Sequence, residues 1–394
     1  HQSNTQTVSV RINDIANDLL NKKNVLDKTN EASQNIDQST PSNTKINSSA
    51  SVFLLAPVID AIVSEKRIQY RDKINVQIDI DLTDSYGLFI NFNLVELKRI
   101  ISNLINNSIE ALLNNSGRIN VKILSNKKSV FIQITDTWQG IPPQVLKTLG
   151  NRGVSYNKEN SLASGSGLGL YHAKTTIEQL GGKFEMQSEL GLGTQISIGL
   201  PLSNPPEWYL DKINITEDTL VVSVDDDVSI HGIWRNRFSS LATFENQTAS
   251  AIEFLSFTSV TDFMNWYKIQ EISQLKKCIF LIDYEFIQQN MNGLELVEKL
   301  NLHLNPTKPI LVTSRYDDLN IQEKCRKLNM KLIPKSMSGL IPLSIEKTKN
   351  KFDWILIDDD NLIHQTWALQ ARETNKKFIG YLNFDEFKRN INLF

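Results

Sequence analysis

Cysteine is almost absent from this sequence: there are two in 394 residues, Cys278 and Cys325. Both sit in apolar stretches with no second Cys or His at metal-ligand spacing, so they read as buried free thiols rather than as a disulfide or a zinc site. That usage fits a reducing cytoplasm. An excess of charge of either sign is also missing, with 42 basic residues against 44 acidic ones. Such a balance gives no global attraction for nucleic acid or an anionic membrane, and nucleic acid is not expected as a partner. No run of about eighteen apolar residues occurs, and the polar start HQSNTQTVSV is not a signal peptide. The chain does not begin with Met and reads as a fragment; the expected location is cytoplasmic, with any membrane anchor of the parent protein lying outside it.

What is present divides into blocks. At this length, with 40% hydrophobic residues, two or three globular domains are expected. Val8, Val10, Ile12, Ile15, Leu19 and Leu20 recur roughly at helical spacing, so residues 1–26 read as one amphipathic helix. Residues 27–51, rich in Ser, Thr, Asn and Gln, have little to bury and read as a flexible linker. Mixed helices and strands fill 52–202. A second linker is expected over 203–217, where Pro205 and Pro206 interrupt regular structure.

Beyond it, TLVVSVDD, KCIFLID and KPILVTS alternate with helix-like segments, which predicts a doubly wound parallel sheet over 218–346 with its site at the strands' carboxyl ends. An internal repeat follows. DDDVSIHGIW from Asp225 is echoed by DDDNLIHQTW from Asp358, so residues 352–394 read as the start of a second copy, with room for about two strand-helix units.

Within residues 52–202, NLVELKRIISNLINNSIEALL puts Asn103, Asn107 and Glu110 on one helix face and Ile100, Leu104 and Ile105 toward the core. Asn on a helix face is most often merely solvated, but amide oxygens so placed can also hold a hydrated Mg2+ and, through it, phosphates. Next come two strands, GRINVKIL and SVFIQIT, and then DTWQGIPPQVL, where Asp136 at a strand end can accept from an adenine amino group. ASGSGLGLYHAKTTIEQLGG sets Gly165, Gly167 and Gly169 at a helix start, where backbone amides face phosphate oxygens. ELGLGTQISIGLP closes the series with a Gly191, Gly193 turn before an alternating strand.

In this order the four segments closely resemble the N, G1, G2 and G3 boxes of the histidine kinase catalytic domain, a Bergerat-type α/β sandwich that binds ATP, over residues 52–202. The resemblance implies that Asn103 and Asn107 hold Mg2+. It also implies that Asp136 and Gly140 line the adenine pocket and that Gly165, Gly167 and Gly169 shape a lid over the phosphates. Related ATP-hydrolysing folds, the type II topoisomerases and Hsp90 chaperones, carry a water-activating Glu where this chain has Asn103. An amide cannot act as that base, so transfer of the γ-phosphoryl to a protein histidine is expected over hydrolysis. Two departures stand out. Trp138 replaces a glycine of the G1 pattern, and no segment resembles the histidine-bearing H box. Residues 1–26 resemble only the second helix of a dimerisation and phosphoacceptor hairpin, so this fragment is not expected to autophosphorylate alone.

Over residues 218–346, Asp225 and Asp226 end one strand, Asp283 ends CIFLID, Thr313 ends LVT and Lys335 follows LIP. Clustered carboxylates repel one another without a cation, and a lysine and a hydroxyl suit an added phosphoryl group. The pattern resembles response-regulator receiver domains, which are flavodoxin-like (βα)5 folds. The resemblance implies that Asp283 is the phosphoacceptor and that Thr313 and Lys335 sense the phosphoryl group. Asp225, Asp226, Asp283 and the backbone carbonyl of Glu285 would hold Mg2+. Leu332 stands where that family usually has an aromatic residue, and Ser336 where a proline commonly follows the lysine.

The expectation is a hybrid sensor histidine kinase of a two-component phosphorelay. Its phosphate would pass from ATP to a histidine outside this chain and then to Asp283. Its partners would be ATP, a phosphoacceptor histidine domain and a downstream phosphotransfer or response-regulator protein, with a homodimer in the parent. The alternative is a nucleotide-free pseudokinase scaffold with Trp138 filling the pocket.

Overall fold

The computed structural model describes residues 50–72, 75–112, 116–154, 168–216, 219–244, 252–287, 289–346 and 352–390, all within one compact unit, Ala50–Phe394. The expected first helix and the linker up to residue 49, together with Gly165 and Gly167, lie outside the described residues.

The first layer pair is built from β1 (Ser51–Leu54), α1 (Leu55–Gln69), β2 (Val76–Asp81), β3 (Phe89–Phe92) and α2 (Leu94–Leu112), followed by β4 (Gly117–Ser125), β5 (Ser129–Asp136), α3 (Leu168–Gln179), β6 (Lys183–Glu189) and β7 (Gly193–Pro201). The sheet runs β2-β4-β5-β7-β6, parallel between β2 and β4 and antiparallel elsewhere, while β1 and β3 form a separate antiparallel pair. α2 shows why the layers pack. Asn93 caps its start, accepting from the Glu96 amide at 3.0 Å. Leu97, Ile100, Ile101, Leu104, Ile105, Ile109 and Leu112 are wholly buried. Each such side chain contributes about 1.5–3 kcal/mol, which fixes the helix's rotation and turns Asn103 and Asn107 out of the core.

The 218–346 block folds as β9 (Leu220–Val224), α4 (Val228–Phe244), β10 (Glu253–Phe257), α5 (Val260–Lys268), β11 (Cys278–Asp283), α6 (Gly293–Lys299), β12 (Ile310–Thr313), α7 (Leu319–Lys327) and β13 (Lys331–Pro334), preceded by β8 (Ile213–Thr216) and followed by β14 (Leu343–Glu346). Strands order as β10-β9-β11-β12-β13, all parallel. Cys278 and Cys325 are buried free thiols, pushed by burial up to about 11 and about 12.

Two expectations need correction. A (βα)5 fold requires a fifth helix, but β13 runs into a single 3-10 turn, Lys335–Met337, and then β14. The chain pairs there with β8 in parallel register instead of coiling. The 203–217 stretch is correspondingly not an unstructured connector: it contains β8, and Tyr209 within it is buried. Pro205 and Pro206 interrupt it only locally.

The repeat folds as β15 (Trp354–Ile357), α8 (Asn361–Glu373), β16 (Phe378–Tyr381) and α9 (Phe384–Asn390), with β15 and β16 parallel. Its likeness to the first copy reaches single hydrogen bonds: His231 Nε2 meets the Asp225 carbonyl at 2.8 Å, and His364 Nε2 meets the Asp358 carbonyl at 2.7 Å. Among the described residues, no helix is long and apolar enough to cross a membrane.

Candidate functional site

Strand alternation delivers Asp136 to its place. In β5 the inward positions are Val130, Ile132, Ile134 and finally Asp136, so the carboxylate ends a buried apolar row at 6% exposure. An unpaired charge there would be costly. Its oxygens accept from Ser108 Oγ at 3.2 Å, the Trp138 amide at 3.2 Å and the Thr194 amide at 3.3 Å. Burial still pushes its carboxyl above the ordinary carboxylate range. Ser108 and Thr194 were not singled out in the sequence; the spacing of Ser108 from Leu104 on the buried face of α2 was the available signal.

Two glycines let the neighbouring turns close on this residue. Gly140 has φ +76°, and a Cβ there would lie 2.0 Å from the Glu189 carbonyl oxygen; at Gly193, φ is +112° and a Cβ would lie 2.0 Å from the Asp136 carbonyl oxygen. The two turns are stitched by the Gly191 amide donating to Gln139 O at 2.8 Å and the Ile141 amide donating to Ser188 Oγ at 2.8 Å. The Trp138 ring, half-buried, packs against the domain's core cluster.

Asn103 and Asn107 are half-buried on α2. α3 starts near Asn103: a Cβ on Gly169 would stand 3.9 Å from Asn103 Nδ2. The two helices are tied by a group that the sequence did not single out, in which His172 Nε2 of α3 contacts both Glu96 and Arg99 of α2. Arg99 also pairs with Glu96 at 2.9 Å. Burial pushes the Glu96 carboxyl up, but the Arg99 and His172 contacts outweigh it and hold it below the ordinary value.

The second constellation lies at the carboxyl end of the parallel sheet. Asp225, Asp226 and Asp283 bring one carboxylate oxygen each to within 4.8 Å of one another. Lys335 Nζ donates to Asp283 Oδ2 at 2.6 Å and to Asp225 Oδ1 at 2.9 Å. Asp226 Oδ2 accepts from the Ile287 amide at 2.8 Å, and Asp283 Oδ1 from the Tyr284 amide at 2.6 Å. Asp225 Oδ2 is buried and has no partner among the described residues. Such an oxygen is costly unless a cation or donor meets it, so the donor set suits a hard divalent ion.

Burial and the neighbouring Asp225 charge push the Asp283 carboxyl up to about 6, against the pull of Lys335. Burial works against the Lys335 ammonium, but the two carboxylates outweigh it and its pKa is raised. Thr313 is buried at the end of the adjacent strand β12, and its Oγ1 accepts from the Arg315 amide at 3.1 Å. The Glu285 side chain pairs with Arg315 at 3.1 Å.

Gly293 was missed in the sequence. A Cβ there would lie 1.9 Å from the Asp283 carbonyl oxygen, and the signal was the Asn292-Gly-Leu-Glu295 capping box that starts α6.

With this geometry in hand, residues 93–204 match the family described as Histidine kinase-, DNA gyrase B-, and HSP90-like ATPase. Histidine protein kinase SaeS of Staphylococcus aureus (strain bovine RF122 / ET3-1) is 28% identical over 139 residues, 34% of this chain and 38% of that protein. A probable C4-dicarboxylate sensor kinase of Halalkalibacterium halodurans is 33% identical over 109 residues, 27% of this chain and 20% of that protein. Among solved structures, the mycobacterial sensor histidine kinase MprB is 24% identical, with a TM-score of 0.34, covering 40% of this chain and 100% of the other. The chain thus spans no more than 38% of the length of these two curated relatives. Residues 93–204 thus match the HATPase_c family, an α/β ATP-binding fold, and the curated relatives are a histidine protein kinase and a probable sensor kinase.

Proposed function

We propose that this chain is the ATP-binding and receiver portion of a hybrid histidine kinase in a two-component phosphorelay. The observation that supports it most is the convergence of Asp225, Asp226, Asp283 and Lys335 in the same compact unit as the HATPase_c domain. One half of such a unit would load phosphate from ATP and the other would receive it.

In this reading the adenine amino group donates to the remaining acceptor capacity of Asp136, and Gly140 gives the base room. Gly169, with Gly165 and Gly167 by the resemblance, would line the phosphates. Asn103 and Asn107 would hold Mg2+, which would offset the charge of the phosphates. A histidine nitrogen of a phosphoacceptor domain attacks the γ-phosphorus, the bond to the bridging oxygen breaks, and ADP leaves. A carboxylate oxygen of Asp283 then bonds to that phosphorus as the P–N bond breaks, giving an acyl phosphate and a free histidine. Lys335 shifts its ammonium to the new phosphoryl oxygens and the Thr313 hydroxyl donates to another. A second Mg2+, held by Asp225, Asp226, Asp283 and the Glu285 carbonyl, would neutralise the added charge. A downstream phosphotransfer or response-regulator protein, and a homodimeric parent in the cytoplasm, complete the reading.

The test is a transfer assay with γ-labelled ATP, Mg2+ and a purified phosphoacceptor histidine domain. Acid-labile label should reach first the histidine and then this chain, where hydroxylamine releases it. Label on the chain that persists in Asp283→Asn would remove that residue from the scheme.

The half-buried packing of Trp138 against the core favours one other reading, a nucleotide-free scaffold. Under it Trp138→Gly creates ATP binding; under the leading reading the same change leaves binding level or weakens it by removing a stacking surface.

A further inference from the structure

The segment between the two domains is tied to both of them. Trp208 O accepts from the Leu332 amide at 2.8 Å, and the Leu210 amide donates to Leu332 O at 3.2 Å, so residues 208–210 lie along β13 as a further parallel pairing. The same segment is held by the first domain. Tyr209 and Phe89 rings sit 4.9 Å apart, Trp208 and Phe89 rings 6.0 Å apart, and the Tyr86 hydroxyl donates to Leu210 O at 2.6 Å. Phe89 begins β3, which leads directly into α2 with Asn103 and Asn107. On its other side Trp208 meets Tyr316, three residues after Thr313, at 6.4 Å.

A second link starts at Lys335 itself. Two residues beyond it Met337 is buried, at 1% exposure, inside the HATPase_c core cluster, and Leu340 packs on the same cluster. Only the single 3-10 turn Lys335–Met337 separates Lys335 from that cluster. Arg237 of α4 clamps the segment by donating to the Gly339 and Ile341 carbonyls.

We propose that the phosphorylation state of Asp283 sets the nucleotide affinity of the HATPase_c domain in the same chain, through the Lys335–Met337 turn and the Trp208 segment paired to β13. This rests on the reading above and adds a regulatory link between its two sites. Phosphorylation replaces the single negative charge of the Asp283 carboxylate with a phosphoryl group that carries about two and places them farther out, and the Lys335 ammonium, now shared between Asp283 and Asp225, must move to meet them. Its backbone begins a turn whose far end is fixed in the other domain's core, so the movement is passed on; packed cores switch between arrangements rather than stretch.

The experiment is an ADP titration of the full chain with Mg2+, with and without beryllofluoride as the phosphoryl stand-in, on the unaltered chain, Asp283→Asn, Met337→Ala and Met337→Leu. The expected result is a change in ADP affinity of at least about fivefold on adding beryllofluoride, within the usual span of coupling between sites. It should vanish in Asp283→Asn, fall in Met337→Ala and persist in Met337→Leu. Hydrogen exchange in the unaltered chain gives an independent readout: the Leu332 and Leu210 amides should change protection with beryllofluoride. If beryllofluoride protects the Tyr284 amide while ADP affinity stays level, the coupling is overturned and the two-site reading stands. If ADP fails to bind in every condition, the catalytic reading falls and the coupling falls with it.

Discussion

Asp283 shows how far a single residue's environment sets its behaviour. Its carboxyl is pushed up to about 6 by burial beside Asp225, so the folded chain holds that proton more tightly than the unfolded chain, where a carboxyl titrates near 4. The stability contributed by the proton is present below about pH 4 and is lost as pH rises through about 6. Without divalent ions, Asp283→Asn should therefore stabilise the chain by roughly 2 to 3 kcal/mol at pH 8 and by little at pH 4. Urea unfolding at the two pH values in EDTA checks this, and an equal effect at both would refute the assignment. Gly140 is the matching case in the HATPase_c domain. With φ +76° and the Glu189 carbonyl oxygen 2.0 Å from any added Cβ, Gly140→Ala should cost about 2–4 kcal/mol and abolish nucleotide binding. Circular dichroism melts alongside ATP titration would read both. The carboxylates and Lys335 were legible in the sequence because each ends an apolar strand. Ser108, Thr194 and Gly293 were not, since what they serve is a contact made across the fold.

Elements were legible to the degree that one periodicity dominated them. α2 and β5 were clear, because a 3.6-residue apolar stripe and a strict alternation each bury one face and leave Asn103, Asn107 and Asp136 at defined positions. The expected fifth helix of the 218–346 block is the counter-case. Residues 335–346 follow a strand in a doubly wound pattern, and the expected helix gives way to β14 because β8 offers it a parallel partner from more than a hundred residues upstream. No local window carries that information. The tie between α2 and α3 was likewise invisible, as Glu96, Arg99 and His172 look like ordinary solvated charges until the helices meet. His172→Ala should raise amide exchange in α3 several-fold while leaving the buried stripe of α2 protected; uniform exchange in both helices would show that the contact holds nothing.

For the whole molecule, the question is whether two domains act as one body. The Tyr86, Phe89, Trp208 and Tyr209 rings and buried Met337 place side chains from both domains in one cluster. Residues 50–346 should therefore unfold in one calorimetric transition, and Tyr209→Ala, which removes the central ring, should separate it into two. Two transitions in the unaltered chain would mean the shared cluster contributes little. The proline pair in the 203–217 stretch concealed this, since the Trp208 and Tyr209 rings beside it pack on partners distant in sequence.

The central claim is that the HATPase_c domain binds ATP through the α2 asparagines and Asp136. Calorimetric titration of the whole chain with ATP, with and without Mg2+ and alongside Asn107→Ala, tests it most directly. Mg2+-dependent binding that Asn107→Ala abolishes is the predicted result; no binding in any condition, with Trp138→Gly restoring it, would contradict the claim and leave a nucleotide-free scaffold in its place.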